Sequence, residues 1–114
     1  MNSSKSFKIV FGQEAQREVK QLVKKYPSFK KDLASVVESL KTNPQQGEPL
    51  GKDCFKLRLA ISSKQKEKRG GARVITCVKI VDERVIILSV YDKAEYDTVL
   101  DSELVKRLTN ADLL

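Results

Sequence analysis

The sequence contains no histidine, no tryptophan and only two cysteines. The lack of histidine excludes an imidazole acid–base pair, and two cysteines alone cannot supply the four ligands of a structural zinc site. No apolar run approaches the roughly 20 residues of a transmembrane helix, and no apolar segment of the kind found in a secretory signal follows the polar N-terminus. We therefore expect a cytoplasmic protein that needs no membrane, metal or cofactor, with Cys54 and Cys77 as buried thiols.

The chain is nevertheless rich enough in apolar residues to fold. Its 114 residues are 40% hydrophobic and 32% charged, which is typical of an ordinary soluble globule rather than a disordered chain. This length supports one hydrophobic core and is too short for two. We expect a single domain that spans residues 1–114.

Positive charge is concentrated in one stretch of the chain. The net charge is +7; residues 52–73 carry eight Lys or Arg against two Asp or Glu, whereas residues 82–114 carry four against eight. A local field of this kind suits a polyanion. The alternative is that the lysines simply solvate the tip of a loop.

Hydrophobic spacing predicts the elements outside this stretch. A short strand at residues 7–11 precedes a helix at 13–25, and a second apolar stripe from Phe29 to Leu40 predicts another helix that ends before Asn43-Pro44. Residues 45–51, with two glycines and Pro49, are expected to form a loop. A last helix is predicted from about Ser102 to Asn110.

Three strand-like runs lie between these helices. Residues 55–62 alternate strictly, which marks a half-buried strand and places Lys56 and Arg58 on the same face. Residues 73–81 and 85–91 are rich in β-branched side chains. The predicted fold is therefore α+β, in the order β-α-α-β-β-β-α, with a helical hairpin packed on one face of a mostly antiparallel four-stranded sheet. The opposite face is expected to be open and cationic.

Three local motifs resemble a known family. They are Cys-Phe-Lys-Leu-Arg-Leu at 54–59, Lys-Arg-Gly-Gly-Ala-Arg-Val-Ile at 68–75 and Leu-Ser-Val-Tyr-Asp-Lys-Ala-Glu at 88–95. In this order, and in a chain of this size, they resemble the RelE/ParE-like toxin superfamily of bacterial type II toxin–antitoxin systems, and within it the HigB-like and RelE-like branch. The resemblance implies a RelE-like fold and a cognate antitoxin as partner.

The resemblance also implies an activity, the cleavage of messenger RNA on the translating ribosome. RelE-like members place basic residues at the positions of Lys56, Arg58, Arg73 and Lys93. Attack by the 2′-hydroxyl needs a base, positive charge on the phosphorane and an acid for the leaving oxygen. We interpret Lys56 as the general base, which requires a lowered pKa, Arg58 and Arg73 as phosphorane clamps, and Lys93 as a second clamp or the acid.

The remaining candidates are less specific. Either Tyr91 or Tyr96 could stack on a base or donate a proton, since the tyrosine position of RelE falls on Val99 here. Four basic residues of the long loop are expected to contact RNA phosphates: Lys64, Lys66, Lys68 and Arg69. Two other functions remain open, namely a ParE-like inhibitor of DNA gyrase and a catalytically inert module that binds RNA or an antitoxin.

Overall fold

The computed structural model describes residues 6–63, 71–94 and 101–111. Its elements are β1 (Lys8–Phe11), α1 (Gln13–Lys25), α2 (Phe29–Thr42), β2 (Glu48–Gly51), β3 (Cys54–Leu59), β4 (Ala72–Lys79), β5 (Arg84–Asp92) and α3 (Asp101–Asn110). The strands form one sheet in the order β1-β5-β4-β3-β2. β1 runs parallel to β5, and the other neighbours are antiparallel. The predicted α+β class is confirmed.

The sheet has five strands rather than the predicted four, because the expected loop at 45–51 contains β2. All four residues of β2 are exposed, so the strand shows no alternation of apolar and polar side chains. It also contains Pro49, which cannot donate a ladder hydrogen bond and is tolerated at a sheet edge. A short, exposed edge strand of this composition has the sequence signature of a loop.

The helical hairpin formed by α1 and α2 packs on one face of the sheet, as predicted. Its most buried side chains are those of the two apolar stripes: Ala15, Leu22, Phe29, Leu33 and Leu40. They form one cluster with inward-facing residues of β3, β4 and β5: Leu57, Leu59, Val74, Val78, Val85, Ile87 and Val90. We call this side of the sheet the hairpin face.

The opposite face, which we call the cleft face, is only partly open. Leu104 and Leu108 of α3 are buried in a second apolar cluster with side chains of β4 and β5, including Ile75, Ile86 and Leu88. The prediction of a fully open second face is therefore wrong on the β5 side. The sequences of β4 and β5 do indicate this covering, since long β-branched runs without polar alternation are typical of strands that are buried on both faces.

An ion pair anchors α3 to the edge of β5. β1 pairs with β5 only as far as Ile87. Beyond that point the Glu18 carboxylate accepts a hydrogen bond from the Val90 N–H at 3.0 Å, and the Arg107 guanidinium donates to the Leu88 carbonyl at 2.9 Å. Arg107 also donates to Glu18 at 3.0 Å. Burial would lower the pKa of Arg107, but its hydrogen bonds to Glu18 and to a second carboxylate raise it.

Cys54 and Cys77 are directly opposite each other on β3 and β4. Both are free thiols and both are buried, so the expectation of buried thiols is confirmed. A hydrogen bond between the two thiol groups raises the pKa of Cys54 and lowers that of Cys77. The longest helix of the described residues, α2, has 14 residues, and none of the helices there meets the length and hydrophobicity of a membrane span.

Candidate functional site

Strand register brings the predicted cations together on the cleft face. Arg58 lies opposite Arg73, and Arg73 lies opposite Tyr91, so these three residues form one row across β3, β4 and β5. Lys56 is two residues from Arg58 and therefore points to the same face. Directly opposite side chains in an antiparallel pair have Cβ atoms only about 4.5–5.5 Å apart. Sheet geometry alone thus concentrates positive charge here.

The cations line one cleft of the described structure. It has a volume of about 890 Å³ and is bordered by Gln46, Gly47, Glu48, Lys56, Leu57, Arg58, Arg73 and Lys93. Lys93 enters from the end of β5, where its N–H donates to the Gly71 carbonyl at 3.1 Å. Four of the five residues predicted to act in catalysis therefore lie around one cavity.

The four cations differ in how firmly they are held. The Arg73 residue is only 6% exposed, and its guanidinium donates to the Ala72 carbonyl at 3.2 Å. Arg58 is exposed, whereas Lys56 and Lys93 are half-buried. A guanidinium fixed by its surroundings presents its donors in a set direction, which suits a planar or bidentate contact with a phosphate. Arg73 is accordingly the preorganised cation of the cleft, and Arg58 is the adjustable one.

A carboxylate that sequence reasoning missed also borders the cleft. Glu48 lies opposite Lys56 in the β2–β3 register, and its Oε1 atom lies 3.5 Å from Lys56 Nζ. Its side chain is 67% exposed, and ion pairs this open contribute at most about 1 kcal/mol. An incoming phosphate can therefore displace Glu48. The sequence did not indicate that Glu48 belongs to the site, because its strand, β2, has the composition of a loop.

The approach of Glu48 to Lys56 depends on the glycine before it. Gly47 has a φ of +102°, and a Cβ built there would lie 2.6 Å from the Lys56 carbonyl oxygen. That separation is too short for a real contact and involves backbone, which cannot move aside. Glycine at this position thus allows the chain to pass close to β3 and form one wall of the cleft.

Tyr91 does not line the cleft. Although it shares a cross-strand row with Arg73, it is only 2% exposed. It belongs to the second apolar cluster, with Leu104 and Leu108 of α3. The structure therefore places Tyr91 in the core at the border of the site, and not among the residues that line the cleft.

The beginning of the basic loop is tied to α2. Asp32 accepts hydrogen bonds from the Ser62 N–H at 2.8 Å and from the Ser62 hydroxyl at 2.6 Å. Burial opposes ionisation of Asp32, but these bonds and one from Ser28 hold the pKa of the carboxyl below its usual value.

The residues predicted to contact RNA phosphates or bases from the long loop and after β5 lie outside the described residues: Lys64, Lys66, Lys68, Arg69 and Tyr96. In the described parts of the chain, no three acidic, Cys or His side chains cluster as metal ligands would.

Comparison with known proteins gives structural matches only. No family model matches the sequence, and no curated protein matches it significantly. One match is the E. coli toxin RelE in its free state, in a mutant in which two arginines are replaced by alanine. It superimposes with a TM-score of 0.62 at 20% identity, over 90% of this chain and 98% of that one. A RelBE toxin–antitoxin complex from Mycobacterium tuberculosis gives a TM-score of 0.57 at 24% identity, over 82% and 99%. The chain therefore has the fold of the RelE toxins.

Proposed function

We propose that this chain is the toxin of a type II toxin–antitoxin pair and that it cleaves messenger RNA on the translating ribosome, in the cytoplasm. The observation that carries the proposal is the convergence of Lys56, Arg58, Arg73 and Lys93 on one cleft. Its volume lies within the range of roughly 300–1,000 Å³ common to ligand sites. The fold shared with RelE toxins supports the same reading. The HigB-like branch stays a prediction from the motif at 88–95.

The proposed reaction uses charge in place of histidine. The 2′-hydroxyl of the RNA attacks the adjacent phosphate, the P–O5′ bond breaks, and the products are a 2′,3′-cyclic phosphate and a 5′-hydroxyl. Arg73 and Arg58 stabilise the dianionic phosphorane, and donors that are already in place stabilise a transition state best. Lys93 acts as a third cation or protonates the leaving oxygen.

Lys56 is the proposed general base, and Glu48 is its partner in the free protein, with Glu48 Oε1 3.5 Å from Lys56 Nζ. RNA must displace this exposed carboxylate before Lys56 can contact the 2′-hydroxyl. Because such an ion pair contributes at most about 1 kcal/mol, an RNA phosphate can replace it.

The proposed partners are a protein antitoxin and the ribosome with its messenger. One of the similar structures is a toxin–antitoxin complex. A segment of the antitoxin rich in Asp and Glu would neutralise the cations of the cleft, or the antitoxin would displace the C-terminal helix around Leu104 to Leu108, or both. Hydrogen exchange on a purified pair should show protection within residues 56–73 or 92–110. Protection limited to α1 and α2 would contradict this mode of neutralisation.

The proposed function is tested by inducing the chain without its antitoxin. Incorporation of labelled methionine should stop before incorporation of labelled thymidine falls, and purified protein should cut a defined messenger on programmed ribosomes. Early loss of thymidine incorporation, with intact messenger, would instead indicate inhibition of gyrase. Binding to ribosomes without growth arrest would indicate an inert RNA-binding module.

A further inference from the structure

A buried carboxylate lies directly before Lys93 in the chain. Asp92 is the last residue of β5, and its side chain is fully buried, at 0% exposure. Burying a carboxylate is costly unless hydrogen bonds and opposite charge compensate it. One oxygen of Asp92 accepts the Tyr26 hydroxyl, and the other accepts the Ala94 N–H at 2.9 Å. Lys25 Nζ lies 3.7 Å from the carboxylate.

These contacts fix the backbone on both sides of Lys93. The bond from the Ala94 N–H to the Asp92 side chain is a local turn in which an Asp side chain replaces a backbone acceptor. Between them, the Lys93 N–H donates to the Gly71 carbonyl at 3.1 Å. The main chain of Lys93 is thus held at three consecutive residues where the side chain enters the cleft.

Tyr26 holds this turn from the hairpin face. It follows the last residue of α1, where its N–H donates to the Leu22 carbonyl at 2.9 Å and its carbonyl accepts the Phe29 N–H at 3.0 Å. The residue before a proline is restricted to extended conformations, and Tyr26 precedes Pro27 with φ −123° and ψ 114°. Its ring therefore projects from a rigid joint between α1 and α2 towards Asp92.

We propose that Tyr26 and Asp92 are positioning residues for Lys93, linking the joint of the helical hairpin to the phosphate-binding cleft on the other face of the sheet. This inference rests on the proposed function, since it assigns Lys93 to contact with RNA phosphate. Misplacement of a reacting or charge-stabilising group by about 1 Å can cost of the order of 100-fold in rate. Tyr26 and Asp92 act on the reaction only through Lys93.

The test is a double-mutant comparison of single-turnover messenger cleavage on programmed ribosomes. Tyr26→Phe removes only the hydroxyl, and it should slow cleavage by about 10- to 100-fold in the parent but leave the rate of the Lys93→Ala variant unchanged. Asp92→Asn keeps an oxygen for the Ala94 N–H and should retain more activity than Asp92→Ala. Ser35→Ala, which removes an exposed hydroxyl on α2 that bonds the Lys31 carbonyl, is the matched control and should cleave like the parent. Equal losses in both backgrounds would overturn the proposal.

A second readout does not depend on cleavage. Residue-resolved hydrogen exchange should show faster exchange of the Lys93 and Ala94 amides in Tyr26→Phe than in the parent, with the amides of β3 unchanged. If the parent fails to cleave messenger, the proposed function fails and this exchange experiment alone decides the positioning role. Unchanged exchange at both amides would overturn it, and so would faster exchange spread over the whole sheet.

Discussion

The two faces of the sheet follow different rules within the same strands. On the hairpin face, β3 and β4 present apolar side chains such as Leu57, Leu59 and Val74, all of them buried. On the cleft face, the residues between them are Lys56, Arg58 and Arg73. The first arrangement gains free energy by removing apolar surface from water. The second places two guanidinium groups opposite each other, which costs free energy.

This difference separates the residues that hold the fold from those that serve the site. Val78 N–H donates to the Asp53 carbonyl at 2.9 Å, so the next pair along the ladder, Cys54 with Cys77, is a non-hydrogen-bonded pair. Alternation makes Arg58 with Arg73 a pair of the same kind, in which side chains approach most closely. The same pairing geometry places two thiols, Cys54 and Cys77, side by side at one end of the β3–β4 pair, and two cations, Arg58 and Arg73, side by side near the other end. The cationic end is therefore a cost in stability that an anionic ligand would offset.

The largest effect that separates the faces should come from neighbouring residues of β3. Leu57→Ala should lower the free energy of unfolding by about 2–5 kcal/mol, because it leaves a cavity in the core. Lys56→Ala should change it by no more than about 0.5 kcal/mol, since it removes a half-exposed side chain outside the core. Denaturant titration monitored by circular dichroism measures both values. Similar losses in the two variants would remove the distinction between the faces.

A smaller effect should appear at the pair of arginines. Arg58→Gln relieves the repulsion opposite Arg73 and should raise the free energy of unfolding by about 0.2–1 kcal/mol, more at low salt than at high salt. Arg84→Gln is the control, because Arg84 lies 3.2 Å from Asp82 and loses an attractive contact instead. Thermal unfolding at two salt concentrations compares the three proteins. A loss of stability in Arg58→Gln at low salt would contradict the repulsion.

The smallest effect should come from the carboxylate at the rim of the cleft. Glu48→Gln removes the ion pair to Lys56 and should tighten binding of a short single-stranded RNA by up to about fivefold, which corresponds to at most about 1 kcal/mol. The gain should shrink as salt is added. Glu38→Gln removes a comparable exposed carboxylate, which pairs with Lys41 at 2.7 Å on α2, and should not change RNA affinity. Weaker binding by Glu48→Gln would show that the carboxylate supports the site.

Local spacing predicted those parts of the fold in which each residue faces one environment. The predicted bounds of α1, residues 13–25, agree with the structure, because its apolar residues recur with the period of a helix buried on one side. Alternation in β3 likewise predicted the shared face of Lys56 and Arg58. The contribution of Arg73 to the same cleft followed from the resemblance and from antiparallel pairing.

The features that were missed depend on contacts between distant parts of the chain. The attachment of α3 to β5 depends on the ion pair between Arg107 and Glu18. These two residues are far apart in the sequence and meet only at the edge of β5. Glu48 enters the site through a strand too short and too exposed to show a period. Tyr26 has the sequence signature of an apolar helix end, and only the folded chain shows that its hydroxyl meets Asp92.

The central claim is that the cations of the cleft face stabilise a transition state rather than the fold. Its most direct test is single-turnover cleavage of messenger on programmed ribosomes by Arg73→Ala, with ribosome binding measured separately and Arg84→Ala as the control outside the cleft. Loss of one preorganised donor of this kind costs about 2.7–4 kcal/mol, so Arg73→Ala should cleave roughly 100- to 1,000-fold more slowly while binding nearly as well. A rate within a few-fold of the parent at saturating ribosome would contradict the account.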